Sequence, residues 1–371
     1  MVLPFIAACS VLVWLGYVHI PQSFDGSYPG DFPNYYFGGQ RLFEARPIYS
    51  DLRDEVMSNL GWKYDAYPAD SPLAVVLLSP LSFLKYEDAW WSLVIFSFIS
   101  LCTAVLLTAK EAGLSKSSAL FALSLAFCSH PFLYLIKSNH FEMALVLFSV
   151  LGWMALRRAR FASAALLFAF AGALKLFPML WLIAPLIAGG KRPLLIGSLS
   201  FCLLSVLGVL VVGTQNAQEF LFHIIPRSSQ WYGVVGNYSI ISFSTALGLP
   251  VFGWGLTILL GILGLYDLFS GPKQATSIWI RAVTLSLLLS PLSWLNYFVL
   301  LIPIAIIIVA ETEPGSRRRL YTFAFCAVLL SWPGYVPTPI VLGTILASYV
   351  PTYGLVIMYF LGRSLPRAFD I

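Results

Sequence analysis

Asp31 is the residue of this sequence best placed to act as a general base. It follows the first apolar run, at about 2–20, and opens the stretch Asp31-Phe-Pro-Asn-Tyr-Tyr-Phe-Gly-Gly-Gln-Arg. A carboxylate with a low-dielectric wall behind it can take a proton from a reacting hydroxyl group. The alternative is a solvated loop acid that caps the helix expected to follow it.

Lys175 is the second residue that the sequence singles out, because it lies between two apolar runs in Ala-Gly-Ala-Leu-Lys-Leu-Phe-Pro178. A lysine at membrane depth is costly, so its position favours a functional role. Its natural partner is an anionic group, and a lipid phosphate is the obvious one. The alternative is a lysine whose ammonium group reaches the lipid headgroups along its flexible stem.

Asn139 and Glu142 open another apolar run in Ser138-Asn-His-Phe-Glu142. Residues three apart share a face of a helix, so we expect both side chains to face one interior cavity. The alternative is that they only cap the start of the helix.

Two later segments add candidate substrate contacts. His223 and Arg227 are four residues apart and could hold a phosphate together, although Pro226 makes a regular helix uncertain there. The aromatic residues near Asn237 could stack on a sugar, but an interfacial aromatic belt is the safer interpretation. A polar hinge, Ser290-Pro-Leu-Ser-Trp-Leu-Asn-Tyr297, could line a cavity through Trp294, Asn296 and Tyr297, or could be an ordinary short loop.

The elements that position these residues are transmembrane helices. The chain has 371 residues, of which 59% are hydrophobic and 11% charged, and its mean hydropathy is +0.83. Soluble domains carry about 25% charged residues, and a helix needs about 20 apolar residues to cross a bilayer. We therefore predict an all-α polytopic membrane protein with about 12 transmembrane helices, at about 2–20, 87–109, 117–136, 141–156, 160–174, 177–190, 193–213, 248–270, 278–292, 295–310, 320–333 and 338–361.

Residues 1–371 form one transmembrane domain in this prediction, with two longer polar stretches. The first outer loop, 21–71, contains an amphipathic segment at 33–45 that we expect to lie at the membrane interface, with Tyr36, Leu42 and Phe43 on one face. Pro72–Leu84 is too short to span and is expected to be re-entrant or interfacial. The second outer loop is 214–239.

The distribution of basic residues predicts the topology. With both termini in the cytoplasm, 14 of the 22 Lys and Arg residues fall on the inner side, including Arg317–Arg319. The candidate chemical residues then lie on the outer side. The net charge of +5 follows from these inner loops and gives no indication of nucleic-acid binding. The sequence contains no GxGxxG, P-loop or HExxH pattern and no CxxC pair.

In this order, the motifs resemble glycosyltransferase family 87, membrane enzymes of the GT-C class. The resemblance covers about 30–300 and rests on several short motifs. They are Asp31 with Tyr35 and Tyr36, Arg46-Pro-Ile-Tyr49, Tyr67-Pro68…Pro72-Leu73, Leu78-Ser-Pro-Leu81, Asn139…Glu142, Gly172-Ala-Leu-Lys175…Pro178, Asn237-Tyr-Ser239 and Ser290-Pro-Leu-Ser-Trp294…Tyr297. The chain departs from the family where Tyr-Pro-Pro is usual, since it reads Tyr67-Pro-Ala-Asp-Ser-Pro72.

The resemblance implies transfer of a sugar, usually mannose or arabinose, from a polyprenyl-phosphate donor to a lipid or glycan acceptor on the outer face. Asp31 would be the catalytic base of an inverting reaction. Lys175, and after it Arg227 and His223, would bind the donor phosphate. No metal or other cofactor is required by anything visible, although a divalent ion is not excluded. The substrate cavity would be lined by Tyr35, Tyr36, Asn139, Glu142, Asn237, Trp294, Asn296 and Tyr297.

Two other functions fit the composition. A transporter or flippase predicts internal repeats with paired broken helices, and no convincing self-similarity is visible. A polysaccharide ligase or polymerase of the GT-C class would share the fold and differ in its donor. We expect the protein in the plasma membrane of a prokaryote.

Overall fold

The computed structural model describes residues 30–61, 68–234, 236–313, 315–332 and 341–365. Most of these residues are helical, and among them the only β-type pairing is a single bridge between Asn237 and Trp294. The helices of the first half are α1 Phe32–Phe43, α2 Arg53–Leu60, α3 Pro72–Leu78, α4 Tyr86–Glu111, α5 Lys116–Phe127, α6 His130–Ser138, α7 Met143–Arg157, α8 Phe161–Leu174, α9 Ile183–Gly189 and α10 Lys191–Val212.

The helices of the second half are α11 Thr214–Glu219, α12 Ile225–Arg227, α13 Ile240–Ala246, α14 Pro250–Ser270, α15 Ala275–Leu289, α16 Leu301–Glu311, α17 Arg317–Ser331, α18 Val341–Ser348 and α19 Val350–Arg363. A 3₁₀ turn at Phe177–Leu182 precedes α9, and another at Leu295–Leu300 precedes α16.

The number of membrane crossings is confirmed only in part. Three helices (α4, α10 and α14) are long and apolar enough to cross a membrane, and α5 with α6 makes a fourth if this pair, bent by 53°, is one span. Other expected spans appear at the predicted positions as apolar helices or helix pairs of 10–17 residues, such as α7 and α8. Twelve crossings remain a prediction, and the segment 2–20 lies outside the described residues.

The helix α1 forms where the amphipathic segment was expected, but it does not lie on the surface. Tyr36, expected at headgroup depth, is buried and its hydroxyl group donates to the carbonyl oxygen of Leu84 at 2.8 Å. A Cβ on Gly39 would come within 2.9 Å of the Cα of Ser79, so this glycine lets α1 pack directly on the turn after α3. Only the C-terminal end of α1 is exposed, where the Phe43 side chain is 51% exposed.

Arg41 ties this buried helix to the rest of the first loop. Its Nη2 lies 2.6 Å from Glu55 Oε1 and donates to the carbonyl oxygen of Asp51 at 2.8 Å. The guanidinium of Arg41 is nearly buried, so these partners replace the water that it loses. These contacts therefore fix α1, which follows Asp31, to the later part of the same loop.

Small residues allow the helices to approach closely. Gly152 on α7 faces the ring of Phe168 on α8, and Gly208 on α10 faces the backbone of Leu73 at the start of α3. Without a hydrophobic driving force between helices in lipid, such contacts supply much of the packing energy. The approach of α10 to α3 also positions Asp70 and Ser71, which immediately precede α3.

An ion-pair network joins helices of the second half of the chain. Arg281 on α15 is fully buried, and its Nη1 lies 3.0 Å from Asp267 Oδ2 on α14. Arg363 on α19 pairs with the other oxygen of Asp267 at 3.0 Å, and the Tyr359 hydroxyl donates to Oδ2 at 2.9 Å. One carboxylate thus joins three helices.

The substitution Gly208→Ala tests the close approach of α10 to α3. The new Cβ would lie 2.7 Å from the backbone nitrogen of Leu73, which cannot rotate away, so we expect a loss of about 1–3 kcal/mol of stability from overpacking. Gly255→Ala is the matched control, since its Cβ meets no atom within 4 Å. Thermal unfolding in detergent followed by size-exclusion chromatography measures both. Equal unfolding midpoints would contradict the packing described here.

Candidate active site

The site is built around a turn between α6 and α7. Asn139 ends α6 in the left-handed conformation, with φ +49°, and its Nδ2 donates to the carbonyl oxygen of Trp90 at 3.0 Å. Glu142 immediately precedes α7. The prediction that Asn139 and Glu142 share one helical face is therefore wrong. The chain leaves the right-handed helical conformation at Asn139, so the two residues do not belong to one helix. Asn139 shapes the turn, and its amide is directed at the backbone of α4.

Asp31 reaches this turn through a backbone contact. Gly30, with φ +59°, packs so closely on Ser138 that a Cβ would come within 2.3 Å of the Ser138 carbonyl oxygen. The N–H of Asp31 donates to the same oxygen at 3.0 Å. The Asp31 carboxylate consequently lies beside His140, with Oδ2 2.7 Å from Nε2.

His140 links Asp31 to a buried glutamate. Its Nδ1 lies 3.1 Å from the Tyr35 hydroxyl oxygen and 3.4 Å from Glu142 Oε1. Burial of the ring opposes protonation, but the carboxylates of Glu142 and Asp31 outweigh it and raise the pKa of His140 to about 10. His140 is therefore an imidazolium at neutral pH, with Nε2 beside the Asp31 carboxylate and Nδ1 within ion-pair distance of Glu142.

Lys175 is the second cation of the cluster. The backbone leaves the helical conformation at Lys175, after α8 ends at Leu174. The ammonium Nζ lies 2.9 Å from Glu142 Oε1 and 3.1 Å from Asp70 Oδ1, and it donates to the Tyr297 hydroxyl oxygen at 3.2 Å. The ring of Phe141 lies 5.4 Å from Nζ, a distance at which an aromatic face attracts a cation.

Asp70 is placed by its neighbour Ser71. The Ser71 hydroxyl donates to the carbonyl oxygens of Ala173 and Leu174, at 2.6 and 3.0 Å, and accepts from the N–H of Ala74 at the start of α3. One side chain therefore provides hydrogen bonds to backbone carbonyl groups at the end of α8 and to a backbone N–H group at the beginning of α3. The Asp70 carboxylate comes to Lys175 as a result.

The five ionisable groups alternate in sign along one connected row: Asp31, His140, Glu142, Lys175 and Asp70. Exposure differs sharply among the three carboxylate side chains, at 36% for Asp31, 10% for Asp70 and 0% for Glu142. Asp31 is thus the carboxylate of this row that a substrate can reach.

The residues expected at the donor phosphate are not gathered at one place. Lys175 is in the row, but two carboxylates already share its charge. His223 is exposed, with Nε2 3.9 Å from Glu219 Oε2, and the Arg227 Nε donates to Gln230 Oε1 at 3.4 Å. These contacts lie within the second polar stretch, 214–239.

Of the residues expected to line the cavity, some contact the charged row and others do not. Tyr35 contacts His140, and Tyr297 contacts Lys175 and stacks on Phe177 with ring centroids 5.0 Å apart. Asn296 is buried, and its Nδ2 has no hydrogen-bond partner within the described residues. Trp294 is half-buried and forms the bridge with Asn237. Tyr36 is directed at Leu84, as described above.

Asn237 was expected to line the cavity, and the structure gives it another role. Its Nδ2 donates to the carbonyl oxygens of Trp231 and Pro291, at 3.3 and 3.1 Å. Its Oδ1 accepts from the N–H groups of Ser239 and Ser293, at 3.1 and 2.9 Å. The fully buried amide therefore joins two loops, and all four contacts are to backbone.

Two residues of the row were missed by the sequence-based selection. His140 lies between Asn139 and Glu142, in the motif that was selected for those two neighbours. Asp70 occupies the segment Ala69-Asp70-Ser71, where the chain departs from the Tyr-Pro-Pro pattern. An acid next to a serine at the start of an apolar run, in Asp70-Ser-Pro-Leu73, was the available signal. Among the described residues, no group of three or more His, Cys, Asp or Glu side chains is arranged to hold a metal ion.

Comparison with known proteins identifies a family. The model of glycosyltransferase family 87 matches residues 67–333, which is more than half of the chain. No curated protein and no solved structure matches it. The matched region includes Asp70, His140, Glu142, Lys175 and Tyr297, and it begins after Asp31.

Replacement of Lys175 tests the charge balance of the row. Lys175→Met leaves the buried carboxylates of Glu142 and Asp70 without this cation, so we expect a loss of about 3–5 kcal/mol in the free energy of unfolding. Adding Glu142→Gln should restore part of that loss. Lys85→Met, at an exposed lysine, should change stability by less than about 0.5 kcal/mol. Unfolding in mixed detergent and SDS micelles measures all three, and a stable Lys175→Met protein would refute the balance.

Proposed function

Because the chain belongs to glycosyltransferase family 87 and is therefore a glycosyltransferase, we propose that it transfers a sugar from a polyprenyl-phosphate donor to a lipid or glycan acceptor. Mannose is the first sugar to test, and the outer face of the membrane is the proposed side of the reaction. The observation that carries this proposal is the position of Asp31, a reachable carboxylate at the end of a buried row of alternating charges.

In the proposed reaction, Asp31 takes the proton of the acceptor hydroxyl group while the oxygen of that hydroxyl group attacks the anomeric carbon. The new bond joins that oxygen to the anomeric carbon, and the bond between the anomeric carbon and the phosphate oxygen breaks. The electron pair leaves with the polyprenyl phosphate, and attack from the opposite face inverts the anomeric configuration. No oxidant or further co-reactant is needed.

His140 supports Asp31 in this role by position and charge. The imidazolium 2.7 Å away favours the ionised form of the carboxylate, which is the form that accepts a proton. The same contact fixes the orientation of the carboxylate. Glu142 and Tyr35, on the far nitrogen of the ring, hold the imidazolium in place.

The leaving phosphate needs cations. Lys175 is our first choice, because it belongs to the same row as Asp31 and a developing anion is stabilised by a cation fixed before the reaction begins. Since Glu142 and Asp70 already share its charge, a second cation is required. The exposed side chains of Arg227 and His223 are our candidates for that contact.

The substitution Asp31→Asn tests the proposal. We would measure transfer from radiolabelled polyprenyl-phosphate mannose, arabinose and glucose in membranes that contain equal amounts of each protein. Loss of the general base should lower the rate by about 100-fold or more. Asp54→Asn, at an exposed acid of the same loop, is the matched control and should transfer normally. Full activity of Asp31→Asn would reject Asp31 as base, and a wild type inactive with every donor would reject the donor class.

The pKa of His140 provides a test that does not depend on activity. A histidine whose pKa is raised to about 10 stays protonated through neutral pH, so its ¹⁵N shifts should remain those of an imidazolium at pH 8. The stabilisation of the fold by the ion pairs of His140 should be complete below about pH 6.5, and it should be lost as the pH rises through about 10. Asp31→Asn removes one of the raising carboxylates and should lower that pKa.

The assignment of the ¹⁵N signals comes from His140→Gln, in which one histidine resonance should disappear. A wild-type His140 that titrates near pH 6.5, as an isolated histidine does, would contradict the ion pairs of the row.

A further inference from the structure

An apolar groove lies away from the charged row, between α5 and α17, with α16 as its floor. Its volume is about 360 Å³, and its walls include Phe121, Leu125, Ile306, Phe323 and Ala327. The floor residues Ile302 and Ala305 are buried, whereas α5 and α17 carry exposed apolar side chains beside the groove, such as Leu120 and Val328. In a membrane, such a groove faces lipid chains.

One end of the groove is cationic. Gly315, Ser316 and Arg319 line it there, and the Ser316 hydroxyl accepts from the N–H of Arg319 at the start of α17. Arg319 is half-buried, and its guanidinium makes no hydrogen bond or ion pair within the part of the chain that the structure describes. Arg317 and Arg318 stand exposed beside it. None of the residues that line the groove is acidic.

The length of the groove matches one leaflet of a bilayer. Along α17 it extends from Arg319 to Leu330, which is about 17 Å at 1.5 Å per residue. Half of a hydrocarbon core is about 15 Å thick. A lipid chain that fills the groove would thus place its headgroup phosphate at Arg319, a side chain that binds phosphate well.

We propose that this groove binds one acyl chain of an anionic phospholipid, with Arg319 in contact with the headgroup phosphate. The three adjacent arginines favour a lipid with net negative charge over a zwitterionic one. The donor lipid is a poorer occupant, because the arginines lie at the start of α17 whereas the charged row lies beyond the far end of that helix. Trp332, just beyond the far end of α17, contacts His130 at the start of α6, and α6 then leads to the turn beside Asp31.

Native mass spectrometry of the full-length protein tests the site. The protein would be exchanged into detergent with palmitoyl-oleoyl phosphatidylglycerol, or with phosphatidylcholine of the same chains. We expect one tightly held phosphatidylglycerol in the wild type and about fivefold weaker binding in Arg319→Gln, the effect of one cation near a lipid surface. Arg192→Gln, which changes an exposed arginine at the start of α10 outside the groove, is the matched control and should bind nearly as the wild type does.

A second pair of variants tests the groove without changing charge. Ala327→Trp fills it and should abolish retention, whereas Val328→Trp, one residue further and exposed to lipid, should retain the phospholipid. Equal retention in all variants, or equal retention of phosphatidylcholine, would overturn the proposal. Preferential, Arg319-dependent retention of undecaprenyl phosphate would overturn the assigned occupant. These outcomes do not depend on whether the protein transfers sugar in the proposed way.

Discussion

A fully buried carboxylate, Glu142, sets the arrangement of the centre of this protein. An ionised carboxylate without water requires cations in contact with it, and Glu142 has two, His140 and Lys175. His140 is buried and Lys175 is half-buried, so each requires a further anion, which brings Asp31 to His140 and Asp70 to Lys175. The row ends at Asp31, where the side chain reaches solvent. Charge compensation in a low-dielectric interior therefore connects four separate segments of the chain.

Interruptions of the helices make this row possible. Polar groups at membrane depth are tolerated where irregular backbone is buried in protein or lines a cavity. Here α6 ends before Asn139, α8 ends before Lys175, and the turn at Leu295–Leu300 carries Tyr297. Each interruption releases a short polar segment toward the same place. Long continuous helices would have kept these side chains apart, which explains why several apolar helices of the bundle are short.

Local sequence patterns were sufficient for the helices and for some members of the row. The predicted spans at 160–174 and 248–270 agree closely with Phe161–Leu174 and Pro250–Ser270, because apolar runs between polar residues mark helices directly. Lys175 and Glu142 were selected one by one, as charged residues next to apolar runs. Their contact with each other, with Asp70 and with His140 depends on long-range packing, such as the capping of α8 by Ser71, and no local periodicity contains it.

Because local patterns do not contain long-range packing, they also did not predict the contacts that Asn139 and Asn237 make in the structure. Both are polar residues in otherwise apolar surroundings, and such residues serve either a substrate or the backbone. In the structure the Asn237 amide is bonded to backbone carbonyl and N–H groups, and the Asn139 Nδ2 donates to a backbone carbonyl oxygen, so both side chains maintain the loops around the site. Residue type alone does not distinguish the two uses, since an asparagine amide offers the same donors and acceptor to both.

The most direct test of the central claim is an experimental structure of the Asp31→Asn protein with polyprenyl-phosphate mannose bound. The account predicts that the anomeric carbon lies beside position 31, with the side chain there directed at the face opposite the phosphate. It also predicts that His140 and Lys175 remain in contact with Glu142. A donor bound with its sugar against His223 and Arg227, away from position 31, would contradict the assignment of Asp31 as the base of this glycosyltransferase.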